Sequence, residues 1–492
     1  MIVLLEAHVH LQKVVGAALG QLQSGRYGIG GRWTVQAASA RVASPSQYYG
    51  MEHGPVNAAY QAAEAHYTAR NLESRRIYNE AVKHLPGGNT RTVLYYDPFP
   101  LATVRAEGAR LFDADGHEYV DLLGEYTAGL YGHSEPAIMA AISEALQSGL
   151  NFGSHHANEA ALARLIKLRF PSIDLVRFTN SGTEATLMAL AAARVYTRKN
   201  RILVFEGGYH GGAFSFAHGD SPVNAPYKYL VARYNSIESV DAILSDPTNA
   251  QDLAAIIVEP MLGSGGGIPG KRLFLDHLRK TANTLGAVLI FDEVMTSRLH
   301  SGGGLQSHLD IRPDMTTLGK YIGGGMSFGA FGGTEDIMSL FDPRTGRIAH
   351  AGTFNNNVLT MAAGRAGLEE VFTPDAALKL NARGEALRQR LNQIATGTVL
   401  KMTGCGSIMV IHFTSTPEEH ITCPQDIAGD DKALSDLLHL YLLEHGYYIA
   451  RRGFIALSLA VTDTDLDGFV KTIQEFLTQH QSLVTIREKA QL

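Results

Sequence analysis

The chain is poor in the residues that define several classes of protein. Only two cysteines and one tryptophan occur among its 492 residues. Cys405 and Cys423 are too few to form a disulfide framework, and their spacing does not match that of metal ligands. We therefore expect neither a disulfide-stapled scaffold nor a cysteine-based metal site, and a reducing compartment fits this composition.

Charge is also scarce. Charged residues make up 18% of the chain, and the formal net charge is -6. Proteins that bind nucleic acid usually carry a basic excess, so we expect neither nucleic acid nor a membrane surface as a partner. No apolar run is long enough to span a membrane. Hydrophobic residues make up 45% of the chain, enough for two or three domains with large cores.

The first fifty residues differ from the rest in charge. They contain one acidic residue, Glu6, and four basic residues. A basic segment that is poor in acids is typical of an organellar transit peptide, but a loose extension can have the same composition. We predict an N-terminal extension over residues 1–54 and a cytoplasmic location, with a mitochondrial location as the alternative.

Four short apolar runs, separated by helical patterns, occur between residues 135 and 364. Runs that are apolar at consecutive positions are typical of strands buried on both faces of a parallel sheet. The runs are Leu175–Thr179, Arg201–Phe205, Ala254–Glu259 and Ala287–Asp292. This alternation predicts a large α/β domain with a mostly parallel sheet.

The segments on either side of this domain have a different pattern. Residues 55–134 begin with helical patterns and continue as a strand-rich stretch. Residues 365–492 combine long helices with a few strands, predicted at Ser407–Phe413, Tyr447–Ala450 and Phe454–Leu459. We predict an N-terminal segment over residues 55–134 and a smaller α+β domain over residues 365–492.

A cluster of small polar residues follows the first of the four predicted strands. Ser181, Gly182 and Thr183 precede a helical pattern that runs from Ala185 to Tyr196. Backbone N–H groups and hydroxyls at a helix N-terminus bind phosphate, because the helix dipole is positive there. Ser181 and Glu184 also have the spacing of a capping box, and both interpretations can hold together.

Two ionisable residues stand out by their surroundings. Asp292 ends an apolar strand, and ligands bind at the carboxyl ends of strands in open α/β sheets. The alternative role for Asp292 is that of a helix N-cap. Lys320 lies among apolar residues and glycines, where desolvation would lower its pKa and free the amine to attack a carbonyl. An exposed surface lysine is the alternative.

Two further segments add possible ligand contacts. Tyr209 is flanked by glycine pairs after the strand that ends at Phe205, so its ring can lie flat on a planar ligand or pack within a tight turn. Thr353 belongs to a second small polar cluster before a helix, which is either a phosphate site or an N-cap. The cofactor pyridoxal 5'-phosphate (PLP) needs a phosphate site, an aromatic side chain against its ring, an acid at a strand end and a buried lysine. The candidate residues supply all four.

The motifs around these residues resemble those of the class III aminotransferases, a fold-type-I PLP family. The matching motifs are Asn180–Ala185, Tyr209–Gly211, Phe291–Val294, Leu318–Lys320 and Gly352–Phe354, within a resemblance over about residues 70–485. The chain is similar to the glutamate-1-semialdehyde aminomutase branch, and within it to bacterial transaminases of aromatic β-amino acids. The resemblance implies a large sheet domain and a smaller domain built from the N- and C-terminal segments.

The resemblance also implies a role for each candidate residue. Lys320 would form the Schiff base with PLP and move the proton, and Asp292 would pair with the pyridinium nitrogen. Val294 and Tyr209 would pack on the two faces of the ring. Thr353 would reach the phosphate of the neighbouring subunit, which implies a homodimer with shared active sites. The phosphate of the same chain would be held by Ser181, Gly182 and Thr183.

Two arginines match residues near the substrate in the β-amino-acid branch. Arg91 matches the arginine that binds the substrate carboxylate, and Arg452 matches a second arginine near that pocket. A planar guanidinium can bind a carboxylate in a bidentate way, although a surface ion pair is the alternative at both positions. The resemblance departs at Arg451, where related sequences have proline.

We therefore predict a PLP-dependent aminotransferase. It would move an amino group from a β-amino acid or related amine to a keto acid such as 2-oxoglutarate or pyruvate, in a ping-pong reaction. An aminomutase that moves the amino group within one substrate is the first alternative, and a non-catalytic protein of the same fold is the second.

The stretch Ser301–Gly304 is either a mobile lid or a linker.

Overall fold

The structure is a computed structural model, and it describes residues 56–217 and 219–486. Contacts between residues divide the chain into Met1–Met51 and Glu52–Leu492, so every described residue belongs to the second unit. The predictions for residues 1–54, including the transit peptide and the location that follows from it, lie outside the described residues.

Helices and strands alternate along most of the described chain. The helices are α1 (Asn57–Arg70), α2 (Leu72–Ala81), α3 (Pro136–Gln147), α4 (Ala157–Arg169), α5 (Gly182–Thr197), α6 (Ile237–Leu244), α7 (Pro247–Gln251), α8 (Arg272–Leu285), α9 (Gly304–Leu309), α10 (Glu335–Met338), α11 (Val358–Ala366), α12 (Pro374–Ile394), α13 (Lys432–Glu444), α14 (Asp463–Gln479) and α15 (Gln481–Val484). The strands are β1 (Thr103–Glu107), β2 (Arg110–Asp113), β3 (Glu118–Asp121), β4 (Leu175–Thr179), β5 (Arg201–Phe205), β6 (Lys228–Ala232), β7 (Leu253–Val258), β8 (Met261–Leu262), β9 (Ile268–Pro269), β10 (Val288–Asp292), β11 (Met315–Gly319), β12 (Gly329–Gly333), β13 (Leu400–Cys405), β14 (Ile408–Phe413), β15 (Tyr447–Tyr448) and β16 (Phe454–Ala456).

Seven strands form the main sheet, in the order β4-β12-β11-β10-β7-β5-β6. Strand β12 is antiparallel to both of its neighbours, and the other pairs are parallel. Every residue of β7, β10 and β11 is buried, as expected for strands that are covered on both faces. The prediction of a large α/β fold with a mostly parallel sheet is confirmed.

Smaller sheets are formed by the segments on either side of the main one. One has the order β1-β2-β3-β15 and another the order β13-β14-β16. Strand β15 pairs in parallel with β3, with Tyr447 opposite Val120, so a C-terminal strand completes an N-terminal sheet. This pairing brings the two terminal segments together, as the family resemblance implied. The domain boundaries at residues 134 and 364 stay predictions.

Several element bounds differ from those predicted. Strand β7 ends at Val258, so Glu259 follows the strand instead of closing it. Helix α5 begins three residues before the predicted Ala185, because the Ser181 hydroxyl accepts the N–H of Glu184 and so caps an earlier turn. Strands β15 and β16 begin where predicted but are shorter, since β15 ends at Tyr448 and β16 at Ala456.

The glycine-rich stretch Ser301–Gly304 is neither a lid nor a linker. Its three glycines are buried, and a Cβ on Gly304 would lie 2.5 Å from Oε1 of Glu293. The Glu293 carboxylate accepts the backbone N–H groups of Leu305 and Gln306, at 3.1 and 2.8 Å. The stretch is therefore a packed turn that starts α9. Among the helices of the described residues, none is long and apolar enough to cross a membrane.

Candidate active site

The carboxyl ends of the parallel strands meet at one edge of the main sheet, and chemically active side chains follow them. Ser181 comes after β4, Tyr209 after β5, Glu259 after β7 and Lys320 after β11, while Asp292 is the last residue of β10. Four of these strands are consecutive in the sheet, and only β12 separates β4 from them, so residues far apart in sequence line one cavity of about 380 Å³. Open α/β sheets bind ligands at this edge, and the volume is that of a small-molecule site.

The structure brings together almost all the site residues that the sequence predicted. The cavity is lined by Arg91, Ser181, Gly182, Thr183, Tyr209, Asp292, Val294, Lys320 and Arg452, among others. Thr353 is the exception, because it is exposed and does not line the cavity of its own chain. Its loop nevertheless lies beside the site, since the Asn180 side chain donates to Oδ1 of Asn355 at 3.0 Å.

The N-terminus of α5 forms one end of the cavity. Ser181 is the N-cap, and its hydroxyl accepts the N–H of Glu184 at 3.2 Å. The Glu184 carboxylate in turn accepts the N–H of Asn180, not that of Ser181, so the predicted capping box is only half formed. The Thr183 hydroxyl accepts the N–H of Gly212 at 3.2 Å, which ties the turn after β5 to the helix start.

At this end of the cavity, two glycines leave space that a side chain would otherwise fill. A Cβ on Gly182 would lie 2.9 Å from Cγ2 of Val294, and one on Gly211 would lie 2.2 Å from Oγ1 of Thr183. Glycines at both places let the backbone approach the cavity closely. Together with the free N–H groups of a helix start, they make a cradle that fits the phosphate of PLP.

Asp292, which also lines the cavity, is held by two hydrogen bonds. Its Oδ1 accepts the backbone N–H of Val294 at 3.0 Å, and its Oδ2 lies 2.8 Å from Nδ1 of His210. Burial opposes a charge on His210, but the hydrogen bond and the negative charge of Asp292 outweigh it and raise the pKa of His210. A carboxylate oriented in this way fits the partner of a protonated pyridine nitrogen.

Lys320 is partly buried between the strand-end residues. Its Nζ donates to the backbone carbonyl of Tyr126. Burial, helped by the positive charge of Arg91, lowers the pKa of the Lys320 amine to about 8. Lys320 also has φ of 56°, a left-handed conformation that is rare outside glycine and that clusters at functional sites. The amine is therefore more readily neutral than that of a surface lysine.

Glu259 was not predicted as a site residue, although it lines the cavity. It is 4% exposed, and its two oxygens accept the backbone N–H groups of Tyr209 and Gly263, each at 2.9 Å. Burial raises the pKa of Glu259 to about 7, even though the charge of His210 opposes this change. It ends a predicted strand as Asp292 does, and an acid at a strand end is the signal that could have found it.

Two arginines, Arg91 and Arg452, also line the cavity. Arg452 donates from Nη1 to the Ser264 hydroxyl at 2.9 Å. Arg451, the departure from the family pattern, donates from Nη2 to Oδ2 of Asp436 at 3.2 Å. This ion pair anchors the turn that carries Arg452 to α13.

Other contributors had weak signals or none in the sequence. His210 lies within the motif Tyr209–Gly211 but was not assigned a role, and its partner Asp292 is 82 residues away. Tyr126 and Ser264 line the cavity without belonging to any motif that the sequence marked. Within the described ranges, no group of three or more His, Cys, Asp or Glu side chains could hold a metal ion.

Comparisons with known proteins agree with this geometry. The family model "Aminotransferase class-III" matches residues 94–477. The chain is 50% identical over 436 residues to a β-phenylalanine transaminase of Variovorax paradoxus, across 88% of this chain and 99% of that protein. It is 35% identical over 427 residues to a glutamate-1-semialdehyde 2,1-aminomutase of Acetivibrio thermocellus, across 83% of this chain and 98% of that protein.

The fold has solved counterparts as well. The crystal structure of a β-phenylalanine aminotransferase from Variovorax paradoxus superposes with a TM-score of 0.86 at 49% identity, across 88% of this chain and all of that chain. The family model, the fold and a cavity that fits PLP all indicate the same class of enzyme. The chain therefore belongs to the class III aminotransferases and is a PLP-dependent enzyme that transfers amino groups.

Proposed function

We propose that the enzyme transfers the amino group of a β-amino acid, with an aromatic or other apolar side chain, to a keto acid such as 2-oxoglutarate or pyruvate. The observation that carries this proposal is that Arg91 and Arg452 line the same cavity as Lys320. A carboxylate bound by either guanidinium places the rest of the substrate beside the lysine amine. The similarity to a β-phenylalanine transaminase supports the choice of donor.

The cofactor would be held by the residues that the structure brings together. Ser181, Gly182 and Thr183 would hold its phosphate, Asp292 its ring nitrogen, and Tyr209 and Val294 its two faces. When bound, PLP supplies an electron sink that stabilises the charge left on the substrate carbon after proton removal.

The protein's own part in the reaction is to position groups and to move a proton. Lys320 in its neutral form would take the proton from the donor carbon that bears the amine. It would return the proton at the cofactor carbon to which that amine is joined. The lowered pKa of Lys320, about 8, keeps a useful fraction of the amine neutral near physiological pH. Arg91 would hold the donor carboxylate and Arg452 that of the keto acid, so that both substrates use one cavity in turn.

The oligomeric state belongs to the same proposal. A homodimer with shared sites is supported by the position of Thr353, which is exposed in a loop next to the cavity but does not line it. From there Thr353 would reach the phosphate in the cavity of a second subunit.

The test that separates a transaminase from an aminomutase is dependence on an acceptor. Purified enzyme with bound PLP and a β-amino acid donor should convert no more than one equivalent per site without a keto acid. Continuous turnover should begin when 2-oxoglutarate or pyruvate is added, because the keto acid then accepts the amino group that the donor has left on the enzyme. Full turnover without any acceptor would favour the aminomutase and contradict the proposal.

A further inference from the structure

The ring of Tyr126 lies close to both arginines of the cavity. Its centroid is 5.5 Å from Cζ of Arg91 and 5.3 Å from Cζ of Arg452, both within the range of a cation–π contact. The ring itself is 8% exposed and packs against Phe454, with 5.6 Å between the ring centroids. One aromatic side chain therefore contacts both groups that we assign to substrate carboxylates.

The backbone around Tyr126 is held in an uncommon conformation. Gly124, Glu125, Tyr126 and Thr127 have φ values of 51°, 46°, 54° and 82°, a left-handed run of four residues. Such conformations persist only where the surroundings fix them. Here Oδ1 of Asp121 accepts the N–H groups of Leu123 and Gly124, at 2.9 and 3.0 Å. The run also places the Tyr126 carbonyl at the Lys320 amine.

The two arginines are held without being neutralised. Among the described residues, no ion pair involves the guanidinium of Arg91 or Arg452, and the side-chain hydrogen bond of Arg452 goes to the Ser264 hydroxyl. A carboxylate partner would occupy the N–H edge that a substrate needs. An aromatic face attracts the guanidinium through its π electrons and leaves the in-plane N–H donors available.

We propose that Tyr126 is a positioning residue that determines specificity for carboxylate-bearing substrates. Its ring holds Arg91 and Arg452 in place and keeps their N–H edges open, so that one cavity accepts the carboxylate of the donor and that of the keto acid in turn. This inference rests on the proposed function, which assigns both arginines to carboxylates.

The test compares Tyr126→Leu with Tyr126→Phe in the PLP-loaded enzyme. Phenylalanine keeps the ring and loses only a long hydroxyl contact, 3.4 Å from the carbonyl of Val93, so it is the matched control. The probe is 3-phenylpropanoate, which carries the carboxylate and ring of an aromatic β-amino acid but no amine. Calorimetry should show about tenfold weaker binding to Tyr126→Leu and nearly unchanged binding to Tyr126→Phe.

Kinetics supply the second readout. Tyr126→Leu should raise KM about tenfold for the keto acid and for a β-amino acid donor, with a smaller change in kcat. With the keto acid saturating, KM for 1-phenylethylamine, a donor without a carboxylate, should rise much less, and its turnover shows that the variant is folded. Tyr126→Met repeats the comparison with an unbranched side chain if the leucine variant does not fold.

The role of the Tyr126 ring and the assignment of Arg91 to a substrate carboxylate can fail independently. Wild-type affinity for 3-phenylpropanoate in Tyr126→Leu, or an equal loss in Tyr126→Phe, would overturn the role of the ring. Arg91→Ala serves as the reference for the site itself. If that variant binds the probe as the wild type does, the assignment of Arg91 to the carboxylate fails, whatever the Tyr126 variants show.

Discussion

Glu259 is the residue whose chemistry depends most on its buried position. Its carboxylate accepts two backbone N–H groups, one of which belongs to Tyr209, another lining residue of the cavity. Burial raises its pKa to about 7, against about 4.3 for an unfolded glutamate. Folding therefore favours the protonated acid, and this contribution to stability is present at low pH and lost as pH rises through 7.

A stability prediction follows for Glu259→Gln. Glutamine stays neutral at all pH values, so the variant should gain stability relative to the wild type by about 2 kcal/mol between pH 5 and pH 8. The loss of one backbone hydrogen bond subtracts about 1 kcal/mol at every pH and does not change this trend. Urea unfolding of both cofactor-free proteins at the two pH values measures the effect. A difference in unfolding free energy that stays constant with pH would contradict it.

The phosphate cradle depends on how two elements meet. The turn after β5 lies against the start of α5, and Gly211 is the point of closest approach, with φ of 117°. An alanine there would be strained in its backbone, and its Cβ would push against Thr183. The neighbouring Gly212 has nothing within 4 Å of an added Cβ, although its N–H also bonds to Thr183.

These neighbours give a matched pair of variants. Gly211→Ala should weaken PLP binding about tenfold, because it moves the Thr183 hydroxyl and the N-terminal turn of α5 out of the cradle. Gly212→Ala should bind PLP as the wild type does. Titration of cofactor-free protein with PLP, followed by absorbance, measures both affinities. Equal affinities of the two variants would show that the cradle does not depend on this approach.

At the scale of the whole molecule, the proposed dimer predicts complementation between subunits. Lys320→Ala removes the essential amine of its own cavity, and Thr353→Asp should repel the phosphate in the cavity of the partner. Each variant alone should be nearly inactive. Subunits of the two kinds, unfolded and refolded together, should regain activity, because a mixed dimer contains one intact site. Activity of the mixture no higher than that of the separate variants would argue against shared sites.

The sequence predicted those parts of the fold and the site that local patterns encode. Strand ends are readable from apolar runs followed by glycines or acids, and this pattern alone was enough to place Asp292, Ser181 and Tyr209 at one edge of the sheet. The start of α5 was placed three residues late, because capping depends on a single hydrogen bond of Ser181 and not on periodicity. Arg451 could not be understood from the sequence, because its partner Asp436 lies on another element.

By itself, then, the sequence determined the cofactor chemistry and the main sheet, because both depend on residue types at fixed short spacings. The tertiary structure decided what surrounds Lys320. Its contact with the Tyr126 carbonyl joins residues that are 194 positions apart, and the Tyr126 ring meets one arginine from each end of the chain. Glu259 likewise acquires its raised pKa only by burial in the folded chain. No short-range pattern encodes these contacts, because they join residues that only the tertiary fold brings together.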